Sequence, residues 1–339
     1  MEIHIKRPDL MNHEDPVTWD HLCAVINDQR GPVLDVAEKA FRDGDRQSWE
    51  QIEAALYLWN TEDLERLLHP TSFSSMAHRA LRNMVVALEN TYRAQHSLKS
   101  WSHFSTDVAL QELYDAAASH RIGHHPLLEH MRRYGLSARS VRLFLDNYYV
   151  NNRLFHLHIA TLSCSTPLLR RNDLYANLFD ELGGEDAHLA HPLLFLRNYD
   201  TIGRSEVVEP LPESLYLLNT KVALTHLSDN CLLGFGGLGF IEIVMPRQMQ
   251  CILAGLKRSG LPDRDLIFWE THIKIDEAHG RNWFTEMREM VSCARDAEML
   301  LNGGEALLEA RACVYDGMWR AVKDEELGRH ASASAVSAA

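Results

Sequence analysis

Apolar residues recur along this chain at the three-and-four spacing of helical turns, and no stretch alternates cleanly enough to read as a strand. Helices bury a stripe and must pack on one another to do so, so the chain is expected to be all-α, a helical bundle.

Three amphipathic stretches come first, at 17–41, 48–69 and 76–98. They are expected to form an N-terminal helical extension over 1–106, a lid or a homodimer contact, ending in the polar run KSWSHFSTD (99–107). The main body, 107–325, is expected to hold about seven further helices. Two of its runs look continuous, ARSVRLFLDNYYVNNRLFHLHIATL (138–162) and the long stretch 264–301. The small polar residues of 326–339 suggest a flexible tail.

Hydrophobic residues make up 46% of 339, enough for a sizeable core. No run is long and apolar enough for a membrane span, and the N-terminus lacks a secretory apolar segment. Six cysteines without paired spacing read as reduced thiols, so a cytoplasmic location is expected. The formal charge of −13 argues against a nucleic-acid partner. The 19 histidines are the unusual feature, because imidazole is a common metal ligand.

The strongest local pattern is His272-x3-Asp276-x2-His279. On a helix these side chains share an arc of roughly 60° over ~10 Å of axis. Two imidazoles flanking a carboxylate on one stripe can serve two metal ions ~4 Å apart. The alternative is a polar surface face with incidental histidines. Ile267, Phe268, Trp269, Ile273 and Ile275 argue against it, and a buried stripe then needs partners, since an unpaired buried charge is costly. Glu181, His191 and Glu242 are the candidates; Glu242 sits among Phe240, Ile241, Ile243 and Val244. Together these residues form a mixed nitrogen and oxygen set suited to iron or manganese in a bundle core.

LYANLFDELGGEDAHLAHPLLF (174–195), followed by Glu242 and the His272 stripe, resembles the heme-oxygenase-like diiron oxidases and oxygenases over about residues 110–300. The resemblance implies a heme-oxygenase-like bundle with two iron ions held by Glu181, His191, Glu242, His272, Asp276 and His279. Glu181, Glu242 and Asp276 would be the catalytic carboxylates that neutralise and bridge the ions. It further implies O2 as co-substrate, an external electron donor and a small-molecule substrate. The sequence departs from the family at His188, where many members carry a glutamate. It also lacks a glutamate in DNYYVNNRLFHLHIATL, where His158 or His156 could stand in; core histidines explain both as well.

Family reactions include N-oxygenation, oxidative decarboxylation or fragmentation, and desaturation. The DELGG glutamate ten residues before the histidine favours N-oxygenation of an amino acid or small amine. Arg153, Arg197, Arg204 and Arg281 are possible carboxylate partners. Rival readings are a helical scaffold with a decayed site, cofactor-free or thiamine-type chemistry on the same fold, and a ferritin-like site using Glu185-x-x-His188. GFGGLG (234–239) matches a dinucleotide pattern but lacks the strand before it, so close helix packing is the better reading. His120, His124 and His125 read as structural, before a proline that suits a helix start.

Overall fold

The computed structural model describes residues 4–5, 19–65, 73–94, 104–204, 207–228 and 230–337; some side chains within those stretches, Asp276's among them, lie outside it. The chain forms two compact units, residues 6–100 and residues 1–5 with 101–339. In the smaller, α1 (Trp19–Phe41), α2 (Arg46–Glu65) and α3 (Phe73–Ala94) enclose a core that includes Ala37, Ile52, Leu56, Leu81 and Val85.

The larger unit holds α4 (Thr106–Ser119), α5 (Pro126–Tyr134), α6 (Ala138–Asn152), α7 (Phe155–Ser165) and α8 (Arg171–Glu181). It continues with α9 (His191–Leu196), α10 (Pro212–Thr225), α11 (Cys231–Arg258), α12 (Ile267–Met290) and α13 (Ala294–Ser337). Its only described extended residues are two short parallel segments, β1 (His4–Ile5) and β2 (Val207–Val208). The all-α expectation holds, with helices divided more finely than the sequence suggested.

Two of the runs that looked continuous are broken. The first breaks after α6 at the weak helix formers Asn151 and Asn152, where the Asn151 side chain donates to the Ser214 carbonyl of α10 instead. The second breaks between α12 and α13. There Asp296 Oδ2 accepts the N–H groups of Ser292 and Cys293 at 2.9 and 3.1 Å, satisfying donors that a new helix leaves open. At the other end, α13 continues through 326 to Ser337. Glu326 is fully buried and accepts the Ser137 N–H at 2.9 Å, so the packed body extends past 325.

The central element is α11, packed against α5, α10, α12 and α13. Asn230 caps it, its side chain accepting the Leu232 N–H at 2.9 Å. GFGGLG lies in its first turns and forms no phosphate loop. A Cβ on Gly236 would run into the Leu300 carbonyl of α13, and one on Gly303 into the Leu233 carbonyl of α11. The two backbones cross in direct contact, which only glycine at both positions allows. The histidines before α5 are structural in the same sense. His125 Nδ1 accepts the Leu127 N–H at 3.2 Å and its Nε2 lies 3.0 Å from Asp316.

The Gly236→Ala substitution should lower stability by about 3 kcal/mol, the upper end for overpacking, because backbone rather than a side-chain tip must move. Thermal denaturation measures it.

Candidate metal centre

Four helices of the larger unit deliver acidic and imidazole side chains to one interior region. Glu181 ends α8, and the loop after it must reverse quickly to return His191. Gly183 (φ 95°) and Gly184 (φ 61°) take left-handed conformations, and a Cβ on Gly183 would collide with the backbone of Asp186 and Ala190. Asp186 then accepts the His188 N–H at 2.9 Å, and Pro192 starts α9. The ten-residue spacing is thus a closed loop. It brings His191 Nδ1 to 2.9 Å from Glu181 Oε2.

His272, on α12, completes the first group. Its Nε2 lies 4.0 Å from Glu181 Oε1, and its ring centroid is 4.3 Å from that of His191. Its Nδ1 sits 2.8 Å from the Phe268 carbonyl, which can only accept. The proton is therefore on Nδ1 and the Nε2 lone pair faces the carboxylate. Ligand atoms of Glu181, His191 and His272 all lie within 4.8 Å of one another.

The second group joins α11 to α12. His279 Nδ1 faces Glu242 Oε2 at 3.8 Å, while its Nε2 donates to Asp180 Oδ2 at 2.9 Å. A carboxylate behind an imidazole fixes the tautomer and raises the basicity of the inward nitrogen. Pro246 lies four residues after Glu242 and has no N–H, so the Glu242 carbonyl is left out of the helical ladder. Gly280 of α12 packs against that carbonyl, which lets the two helices close together beside His279.

Burial sets the charge state. It lifts the Glu242 carboxyl to about 8, with the Glu181 charge adding to the effect. Burial pushes Glu181 the same way, but the His191, His272 and His279 imidazoles outweigh it and hold Glu181 below its ordinary value. Burial pushes His272 down to about 3. Without metal, one carboxylate is therefore ionised, the other protonated, and His272 neutral at pH 7.

The sequence pattern of the iron-containing redox enzymes matches residues 142–312, just over half of the chain and all of this region. The chain belongs to the iron-containing redox enzyme family. Solved structures agree on the fold. A domain of unknown function with a heme oxygenase-like fold from Shewanella denitrificans OS217 is 15% identical, with TM-score 0.51 over 64% of this chain and 91% of that one. A CADD-like protein of unknown function from Nostoc punctiforme PCC 73102 is 15% identical, with TM-score 0.52 over 63% and 97%. A second structure of it is 13% identical, with TM-score 0.53 over 65% and 97%. The fold is thus heme-oxygenase-like. The curated proteins offer no match.

The residues of this family member fit an iron centre. His191 Nδ1 is buried close to a carboxylate oxygen, yet the two are not aligned as a hydrogen bond. Atoms that converge without bonding one another suit a cation between them, and imidazole with carboxylate is a donor set for iron.

Five of the six residues expected as ligands converge: Glu181, His191 and His272 in one group, Glu242 and His279 in the other. Asp276 lies on α12 between the two histidines, and its side chain falls outside the described residues. His188 is exposed in the loop, as is Glu185, so neither reaches the centre and the ferritin-like pairing has no geometric basis. His158 is buried on α7, where its Nδ1 lies 3.4 Å from Thr225 Oγ1. The charged groups acting on it are Lys221, His156 and His226, not the carboxylates of the centre.

A partly open pocket of about 540 Å³, counting the solvent in its mouth, lies beside Glu181, Glu242 and His272. Neither Arg153, Arg197, Arg204 nor Arg281 lines it; Arg281 pairs with Glu277 at the surface. The cations that do are Lys221 and Arg311. Lys221 was legible as a cation in the apolar run SLYLLNTKVAL. Asp180 was hidden as a plain helix-end acid.

Two outcomes follow for metal binding. A metal must displace the Glu242 proton, so affinity should rise about tenfold per pH unit from pH 6 to about 8 and then level. Glu242→Gln should flatten that slope, read by chelator competition. Asp180→Asn should weaken metal binding about 10- to 100-fold at unchanged fold, read by the same competition and by circular dichroism.

Proposed function

We propose that this protein is a non-haem diiron oxygenase that oxidises a small substrate with O2, most favourably by N-oxygenation of an amino acid or small amine. The observation that carries this reading is the pairing of two neighbouring ligand groups, Glu181–His191–His272 and Glu242–His279, beside one pocket.

Two iron ions, when bound, supply two electrons and open positions for O2. The chain's own residues do the rest. His191, His272 and His279 would each hold iron through the nitrogen that faces a carboxylate. Glu181 sits in the first group and its charge acts on Glu242 of the second, so it would neutralise the ions, with Glu242 and Asp276 completing the negative charge. The Phe268 carbonyl and Asp180 lock two imidazoles in ligating tautomers before any metal arrives. The fully buried Phe268 ring packs against His191 and His272.

The balance for an amine is RNH2 + O2 + 2e⁻ + 2H⁺ giving RNHOH and water. The two electrons would come from the reduced metal centre, and an external reductant would restore them. The DELGG glutamate, ten residues before its histidine, supports the choice of N-oxygenation. Oxidative decarboxylation, fragmentation and desaturation use the same centre.

The test is a single turnover with iron(II)-loaded protein, isotopic O2 and a panel of amino acids and amines. The reading expects one product carrying one oxygen atom from O2 on nitrogen, lost in His272→Ala. Protein that binds no iron, or His272→Ala with full turnover, would contradict it.

A further inference from the structure

We propose that the cavity beside the metal centre binds an amphipathic carboxylate, its acid group held by Lys221 and Arg311 and its apolar part against Phe155, Met245 and Met249. The proposal rests on the diiron reading, since it depends on where the charge of the two glutamates goes.

Lys221 lies on α10 with 2% of its surface exposed, and it faces the cavity. Among the described residues it makes no hydrogen bond or ion pair; its ammonium has only the Phe155 ring, 5.3 Å away. Arg311, on α13, is 6% exposed and bonds only to neutral groups. Its Nε donates to Gln248 Oε1 at 3.3 Å and one terminal nitrogen to the Tyr148 hydroxyl at 2.5 Å. Its guanidinium also lies over the Tyr148 and Tyr315 rings, at 5.0 and 5.7 Å. A guanidinium stays charged in any protein interior.

Burial pushes Lys221 down to about 7, so its ammonium and the Arg311 guanidinium, neither touching a carboxylate among the described residues, are an expensive pair to hold charged in one cavity. The cavity's own carboxylates, Glu181 and Glu242, face the imidazoles of the metal centre. Iron would engage their charge and leave the two cations uncompensated. An anionic ligand removes that deficit. A carboxylate matches the planar donor fork of arginine and can accept from an ammonium at the same time. Apart from the asparagines of α6 and the tyrosines beside Arg311, the remaining wall is apolar: Phe155, Leu217, Met245 and Met249 want a hydrocarbon segment rather than a second charge. Fatty acids and amino acids share this chemistry.

Calorimetric titration of iron(II)-loaded protein under argon tests it, with octanoate, octylamine and leucine as probes and iron content measured on the same samples. Iron content reports on the metal reading, and probe affinity on this one. Octanoate or leucine should bind at least about tenfold more tightly than octylamine. Lys221→Met should weaken that binding about 10- to 100-fold with iron content unchanged. In the absence of ligand at pH 6, where Lys221 is charged, Lys221→Met should melt above the parent protein, because an unpaired buried charge is gone; a packing role predicts the reverse. Binding of leucine alone assigns the acid to an amino acid, and of octanoate alone to a fatty acid, each in support. Equal or tighter binding of octylamine, binding of neither acid, or acid affinity untouched by Lys221→Met overturns the proposal. The last result would mean that the acid binds the metal instead.

Discussion

The structure depends on ionisable groups held where water cannot reach them. Glu181, Glu242, His191, His272 and His279 are all under a tenth exposed, yet they are not closed into a self-sufficient salt-bridge network. One carboxyl stays protonated and one imidazole neutral only because burial makes their charged forms too costly. Apolar side chains of similar volume would make a more stable core. Keeping donors aimed at one another instead is what a cation-binding interior requires.

The backbone serves that arrangement at specific points. The glycine turn after α8 folds ten residues into a loop that returns His191 to Glu181. Pro246 releases the carbonyl of Glu242, and Gly280 packs beside it, so α11 and α12 lie close together next to the second imidazole. Farther along α11, Gly236 and Gly303 bring α13 into backbone contact. The cavity's two cations come from α10 and α13, both packed on α11.

Much of this was readable from residues. Helical periodicity implied the all-α bundle, and the His272 stripe, Glu181, His191 and Glu242 were recognisable because acids and imidazoles in apolar runs need a reason. What escaped depended on tertiary partners. The break at Asn151–Asn152 follows from a bond to α10, and the start of α13 from the Asp296 cap, neither visible as a change of period. His188 fitted the spacing of a ligand, but the loop's turn directs it outward. Arg311 looked like one of many helix arginines, since only the fold shows that no carboxylate meets it. Small, polar residues after 325 suggested a tail, whereas the buried Glu326 anchors the helix there.

The central claim is that these five side chains enclose metal. The most direct measurement is anomalous diffraction at the iron edge from crystals grown with iron(II) under argon. The account predicts two iron peaks, one in contact with Glu181, His191 and His272 and the other with Glu242 and His279. A well-ordered interior without iron peaks, with His191 hydrogen-bonded to Glu181, would contradict it.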